Sequence, residues 1–378
     1  MRFAFSDEQE QFRAMVRRFL RARSPISAVR EQMAAEEGVD RAVWQQLNRE
    51  LGVTGIHVPE RFGGQGFGFV ELGITLEEMG RALYCAPFFA SAVLATHAIL
   101  NGANEEQQQT LLPAIAAGEC IATLAWVEAS GCWEAGGSTL TATPAARDYR
   151  LNGAKKFVLD GHLADLVIVA ARASGTVGDA GLSLFAVNAP CAGLTHRRLA
   201  TLDATRKLAE LDFCDVPAQL LGELGSGAAA LGRTLDQAAV ALACEMVGGA
   251  RALLESAVEY AKLRMQFGRP IGSFQAIKHK CADLLLEVEL ANSAACYAAA
   301  AFAEDDPEAP ALASLAKACA SDAYMHTAVE CIQIHGGIGF TWDHDAHLWF
   351  KRAKSSQVML GDAGYHRERY LQLSEGGT

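Results

Sequence analysis

Residues 239–249 read AVALACEMVGG, and Glu245 is the only charged side chain between Ala238 and Ala250. A carboxylate moved from water into apolar surroundings holds its proton more tightly. That makes it a usable base. The same isolation fits one half of a buried ion pair, with Arg251 or Arg264 as partner, and both readings stand at this point. Asp362, in QVMLGDAGYHRERYLQL, is a rival carboxylate. Its position just ahead of a helical pattern reads first as an N-cap. His344 and His347, with Asp343 and Asp345, resemble metal ligands at helical spacing. Zinc would need further ligands from elsewhere, so capping and surface roles are expected for them.

Two stretches carry chemistry of another kind. RMQFGRPIGSFQ (264–275) combines Gly268, Pro270 and Gly272 in a tight link, with Ser273 expected to cap the helix that follows. The turn explains the glycines and the proline, but not Arg264, Phe267 and Gln275 beside them. CIQIHGGIGF (331–340) sets Gly336 and Gly337 one turn after Gln333. Adjacent glycines allow a ligand or a second backbone to approach closely.

Together these stretches resemble the acyl-CoA dehydrogenase family. Arg264, Phe267, Gly268, Ile271, Phe274 and Gln275 fit the family pattern R-x-x-F-G-x-x-(I/L)-x-x-(F/H)-Q. Gln333, Gly336, Gly337, Gly339 and Phe340 fit Q-x-x-G-G-x-G-(F/Y) without a gap. VPERFGGQGFG (58–68) is similar to the family's P-E-x-x-G-G-x-G turn. LNGAKKFVLDG (151–161) is similar to its N-G-x-K-x-(W/F)-I-x-(N/D)-G hairpin. The resemblance covers nearly the whole chain.

The resemblance implies a bound FAD and the oxidation of an acyl-CoA thioester to its 2,3-enoyl-CoA, with electrons passed to an electron-transfer flavoprotein. It places Arg264, Phe267, Gln333 and Gly337 against the FAD of a neighbouring subunit, with Ile271, Phe274, Gln275 and Gly336 in the same contact. An oligomer, a tetramer in the family, follows. Arg suits a pyrophosphate as a charge-assisted donor, and glycines give backbone access. Fatty acid or steroid catabolism is the metabolic setting it suggests. Departures matter as much. The family's T-E-P-x-A-G-S-D, lining flavin and substrate, becomes VEASGCWEAGG (127–137), which keeps only Glu128 and a loose glycine run. After Phe157, which would face the flavin, the family's hairpin Thr is Leu159. The two positions at which family members keep the catalytic glutamate are Leu360 and Ala238 by ungapped count. Glu245 lies seven residues beyond Ala238, on the same helix face and roughly 10 Å along the axis. It is the candidate base. The alternative is a degenerate supporting subunit in a heteromer with a second family member.

The elements that must position these residues fall into three segments. Residues 1–120 are helical, opening with a capping box of Ser6 and Gln9. Residues 121–224 alternate in short β-branched runs bounded by turn residues. Residues 225–378 return to long helices, over 226–265, 273–304 and 308–335. The expected fold is α+β: an N-terminal helical domain, a middle antiparallel β-barrel and a C-terminal four-helix bundle. Composition agrees with a globular chain rather than a disordered one, at 51% hydrophobic and 20% charged. A net charge of −11 speaks against nucleic-acid binding, which needs clustered Lys and Arg. Ten cysteines without a C-x-x-C pair read as buried thiols. No signal-peptide core and no run of about 18 uncharged apolar residues is seen, so neither export nor a membrane span is expected and the cytoplasm is the expected location.

Overall fold

The computed structural model describes residues 5–145 and 148–375. In chain order the helices are α1 (Asp7–Arg23), α2 (Ile26–Ala34), α3 (Arg41–Leu51), α4 (Phe69–Ala82), a π-helical stretch (Phe89–Ala95) continuing as α5 (Thr96–Gly102), and α6 (Glu105–Ala116). Strands β1 (Ala122–Ala125), β2 (Thr141–Pro144), β3 (Tyr149–Leu159), β4 (Leu166–Ala173), β5 (Leu182–Asn188), β6 (Leu194–Arg198) and β7 (Leu208–Leu221) follow. The long α7 (Gly227–Leu263) leads to a two-residue hairpin, β8 (Met265–Gln266) and β9 (Arg269–Pro270). The chain closes with α8 (Gln275–Ala303), α9 (Ala309–His335), α10 (Ala346–Val358) and α11 (Ala363–Glu375).

The chain separates into two compact units. The first gathers residues up to Glu31, Phe69–Tyr84 and everything from Ala239; the second holds Gln32–Gly68 and Cys85–Ala238. The first unit therefore draws helices from both ends of the sequence. α1 starts at the expected capping box: Gln9 N–H donates to Ser6 Oγ (3.3 Å) and Ser6 N–H to Gln9 Oε1 (2.9 Å). The apolar side of α1 packs on α4. Arg17 reaches Glu78 with two hydrogen bonds of 2.7 and 2.6 Å, and Arg13 reaches Glu77 at 2.5 Å. α4 and α7 cross backbone to backbone. A Cβ on Gly248 would fall 1.8 Å from the Glu77 carbonyl oxygen, and one on Gly80 would fall 1.9 Å from that of Glu245. Only glycine permits that crossing.

α9 packs against α8, α10 and α11. α8 begins at Gln275 after Phe274, so Ser273 does not cap it; its hydroxyl lies in the short helical turn before and finds no partner. Asp362 does cap α11, accepting from Tyr365 N–H at 2.9 Å. α7 and α8 are each long and apolar enough to cross a membrane by length and composition, although each carries charged residues. The apolar window of α7 is 89% buried within the protein, whereas that of α8 is 39% buried. α8 leaves Leu285, Leu286 and Leu290 exposed.

In the second unit, β4, β2, β3, β7 and β5 close into a ring, with β1 added to β4 and β6 to β7. Most ladders are antiparallel; β1 and β2 run parallel to β4. Inward-facing Val167, Val169, Phe185, Leu211 and Val216 fill the barrel. The π-helical stretch is tied to β1 by Ser91, whose hydroxyl donates to the Ala122 carbonyl and accepts from the Ala122 N–H, both at 3.0 Å.

Candidate active site

Glu245 is buried at 6% exposure, where apolar periodicity would put it, but it is not isolated. Arg352 of α10 donates from Nη1 to its Oε1 at 2.5 Å, and both side chains are buried. The partner is neither Arg251 nor Arg264. Arg251 is shared between Glu77 (2.9 Å) and Glu289 (3.1 Å), and Arg264 is exposed at the end of the bundle. The Arg352 guanidinium thus occupies a carboxylate oxygen that a base would need to present to its substrate. Ala238 and Leu360 are buried apolar side chains. Asp362 is exposed and engaged as a cap.

The joint around Leu360 is nonetheless firmly built. Lys317, fully buried in α9, donates to the carbonyls of Gly361 (3.0 Å) and Gln357 (3.3 Å). His366 Nε2 binds the Leu360 carbonyl at 2.9 Å, and burial holds the imidazole neutral, with its pKa down at about 4. Sequence reasoning missed both residues. Lys317, the lone charge in ALASLAKACAS, carries the same signal that drew attention to Glu245.

The two glycine-bearing stretches come together in the first unit. The ring of Tyr260, one turn before Arg264, stacks on His335 with centroids 4.3 Å apart. Ile271 N–H donates to the Arg264 carbonyl (2.8 Å) and closes the hairpin. Phe267 and Gly268 form its tip, with φ of 52° and 76°, and Phe267 is 91% exposed. Arg269 lies over the Phe274 ring at 4.1 Å, and Ile271 is half-buried behind them. Arg264, Gln275 and Gln333 are exposed. The glycines divide by role. Gly339 packs tightly, since a Cβ there would lie 2.9 Å from that of His335. Gly336 needs its φ of 66° to end α9. Gly337 would meet nothing within 4 Å, so this chain's own packing gives no reason for a glycine there. An open cradle beside exposed Arg and Gln donors fits a phosphate-bearing, flat-ringed cofactor such as FAD.

On the barrel, Glu128 is taken up structurally. Its carboxylate accepts from the N–H groups of Thr139 (2.8 Å) and Leu140 (2.9 Å), the hydroxyls of Ser138 (3.1 Å) and Thr139, and Lys155 Nζ (2.7 Å). Burial alone would raise its pKa, but the Lys155 charge and these donors hold it down at about 2. Phe157 is partly exposed on a bulge of β3 between Lys155 and Val158, and Leu159 is buried.

Seven described non-glycine residues have left-handed φ, and three of them are aspartates, which tolerate it. The other four are Leu83, Phe157, Phe267 and Leu360. Such backbone is an outlier for bulky side chains and gathers at functional sites. Three of the four fall in the stretches that the resemblance assigns to flavin and base.

Comparison with known proteins agrees with this geometry. Models of the acyl-CoA dehydrogenase N-terminal, middle and C-terminal domains match residues 6–119, 125–216 and 225–372. The acyl-CoA dehydrogenase IpdE2 of Mycobacterium tuberculosis is 33% identical, covering 94% of this chain and 93% of that protein. The butyryl-CoA dehydrogenase structure from Megasphaera elsdenii superposes with a TM-score of 0.92 at 28% identity, over 100% of this chain and 99% of that one. The ChsE4-ChsE5 complex from Mycobacterium tuberculosis gives 0.88 at 28% identity, over 99% of each chain.

Proposed function

The chain belongs to the acyl-CoA dehydrogenase family, FAD-dependent oxidoreductases, and from that premise we propose that it serves α,β-dehydrogenation of an acyl-CoA thioester as the subunit that lacks the base, paired with a second family member that carries one. FAD, when bound, accepts the β-hydrogen as hydride. This chain's part is to hold and enclose. Arg264, Gln275, Gln333 and the open backbone at Gly336 and Gly337 face the neighbouring chain's cofactor. Phe267 and Phe340, 91% and 78% exposed, and the uncovered leucines of α8 supply the apolar area that a second chain covers. Electrons leave to an electron-transfer flavoprotein.

One observation carries this reading: Glu245 is bonded to Arg352 at 2.5 Å, while Ala238 and Leu360 are apolar, so none of these positions offers a carboxylate free to take a proton. The likeness to a chain of the ChsE4-ChsE5 complex supports pairing of unlike chains. The test is to purify this chain alone and co-expressed with a second family member, then to assay a panel of acyl-CoAs with a dye acceptor. Alone, turnover is expected to be lower by about 10²-fold or more, the usual worth of a positioned base. A homo-oligomer of this chain working at the full rate of the mixture overturns the proposal.

A further inference from the structure

The barrel contains a charged cluster that nothing in the fold requires for burial of apolar surface. Lys155 of β3 is fully buried, and its Nζ donates to Glu128 Oε1 (2.7 Å), Ser138 Oγ (2.7 Å) and the Trp126 carbonyl (3.1 Å). Arg172 of β4, also buried, donates from Nε to the Ser138 carbonyl (2.5 Å). From Nη2 it donates to the carbonyls of Gly136 (3.3 Å) and Gly178 (2.5 Å). Within the 126–140 segment, the groups that Glu128, Lys155 and Arg172 engage lie at one of two places, Trp126 and Glu128 on one side or Gly136, Ser138, Thr139 and Leu140 on the other. These are the two ends of the loop 129–137. The cluster ties them together from beneath.

We infer that Glu128, Lys155 and Arg172 form a positioning clamp, which holds the loop 129–137 in the one conformation that its backbone presents to the flavin. The inference rests on the reading that VEASGCWEAGG occupies the flavin-lining stretch of the family.

The energetics separate positioning from stabilisation. Lys155 pairs with the buried carboxylate of Glu128, and Arg172 brings a second buried cation to bear on the lysine. Burial outweighs the attraction of Glu128 at Lys155, whose pKa falls from 10.5 to about 8, with the Arg172 charge adding to the fall. A Lys disfavoured by its own surroundings contributes little to stability, as buried ion pairs commonly do. What it does supply is direction: five donors converge on Glu128, and the four besides Lys155 each fix a different atom of the loop's base. The clamp also explains why Glu128 remains when its neighbours in the family motif have changed. The loop can vary in sequence, through Cys132 and Trp133, as long as its ends are held. Trp133 folds back, its carbonyl accepting from Trp126 Nε1 at 3.3 Å. Glu128 and Arg172 are the charged groups acting on Lys155, so the clamp loses its central charge as pH rises through about 8.

The test uses the full-length flavin-loaded protein, with its partner chain if one is needed for flavin. Lys155→Met alone strands Glu128 and risks misfolding. The double variant Lys155→Met/Glu128→Leu removes both charges, and its melting temperature is measured beside the wild type because it also takes the acceptor from the Thr139 and Leu140 N–H groups. The expected result is faster amide hydrogen exchange across 129–140 and an FAD dissociation constant raised on the order of tenfold, the worth of about 1.4 kcal/mol. Wild-type FAD affinity should weaken across pH 8, and the double variant should be flat there. Unchanged exchange in 129–140 in the double variant overturns the clamp. Faster exchange with unchanged FAD affinity overturns its link to the flavin. A wild-type protein that holds no FAD overturns the flavin reading beneath it, while the exchange measurement still decides the clamp.

Discussion

Two buried glutamates, one in each unit, are held in opposite ways. Glu128 in the barrel gathers donors from a lysine, two hydroxyls and two backbone N–H groups, and so fixes the local course of a loop. Glu245 in the bundle is bonded by Arg352, 107 residues away, and so joins α7 to α10. The sequence singles out Glu245 because its neighbours are apolar, and passes over Glu128 as the remnant of a motif. Sequence isolation says that a charge is buried. It does not say whether the charge is free, because the answering charge arrives from another helix.

Removing one partner from each pair tests that difference most strongly. Arg352→Ala should strand Glu245 and cost about 3–5 kcal/mol in urea unfolding, whereas Glu245→Met/Arg352→Met together should lie close to wild type or above. Retained stability in Arg352→Ala would mean that Glu245 has room to do chemistry.

Acid sharpens the comparison next. His97 in the second unit and His366 in the first are both held near 4 by burial, from the usual 6.5. The folded state thus binds fewer protons than the unfolded chain between those values. Stability is complete above pH 6.5 and declines as pH falls toward 4, by up to roughly 3 kcal/mol for each histidine. Glu128, held at about 2, stays charged through that window. Acid unfolding monitored by circular dichroism should therefore begin near pH 6, with a shallower slope in His366→Gln. A transition confined below pH 3 would assign it to the carboxylates instead.

Leu360→Glu asks whether the bundle lacks only the carboxylate. The backbone at Leu360 already has a left-handed φ of 62° and is braced by Lys317 and His366. If that frame is competent, the variant chain should gain exchange of the substrate's α-proton by about 10²-fold, measured by deuterium loss from a labelled acyl-CoA. No gain would place the deficiency elsewhere in the site.

How far the sequence could be read follows from which forces are local. Capping signals and apolar periodicity are local, so Ser6, Asp362 and the long helices α7 and α9 fall where residue patterns put them. The short strands β1, β2 and β6 and the helix α2 lack a strong period and went unread. The left-handed backbone at Phe157, Phe267 and Leu360 was also invisible, because no bulky residue advertises a conformation that its surroundings impose. The Arg352 and Lys155 contacts depend on tertiary placement and could not be paired from spacing. The motif residues Arg264, Phe267, Gln333 and Gly337 were identified by type, and the structure leaves them exposed, with their two segments meeting where Tyr260 stacks on His335.

The smallest expected change in stability is the most discriminating for function. Gly248 and Gly337 are both glycines in the first unit, but only one is there for packing. At Gly248 a Cβ would meet the Glu77 carbonyl oxygen at 1.8 Å, a backbone atom that cannot step aside, so Gly248→Ala should cost about 3 kcal/mol. At Gly337 a Cβ meets open space within 4 Å, and its backbone does not lie in the left-handed region. Gly337→Ala should thus leave the melting temperature of the purified chain unchanged, within the roughly 0.5 kcal/mol typical of surface substitutions. A methyl group pointing out of the cradle should nevertheless hold a cofactor's phosphate away from the backbone at the end of α9. FAD affinity in the assembled protein should fall on the order of tenfold, about 1.4 kcal/mol. Loss of stability would make Gly337 a packing residue like Gly248, and full stability with full FAD affinity would remove this segment from the cofactor site.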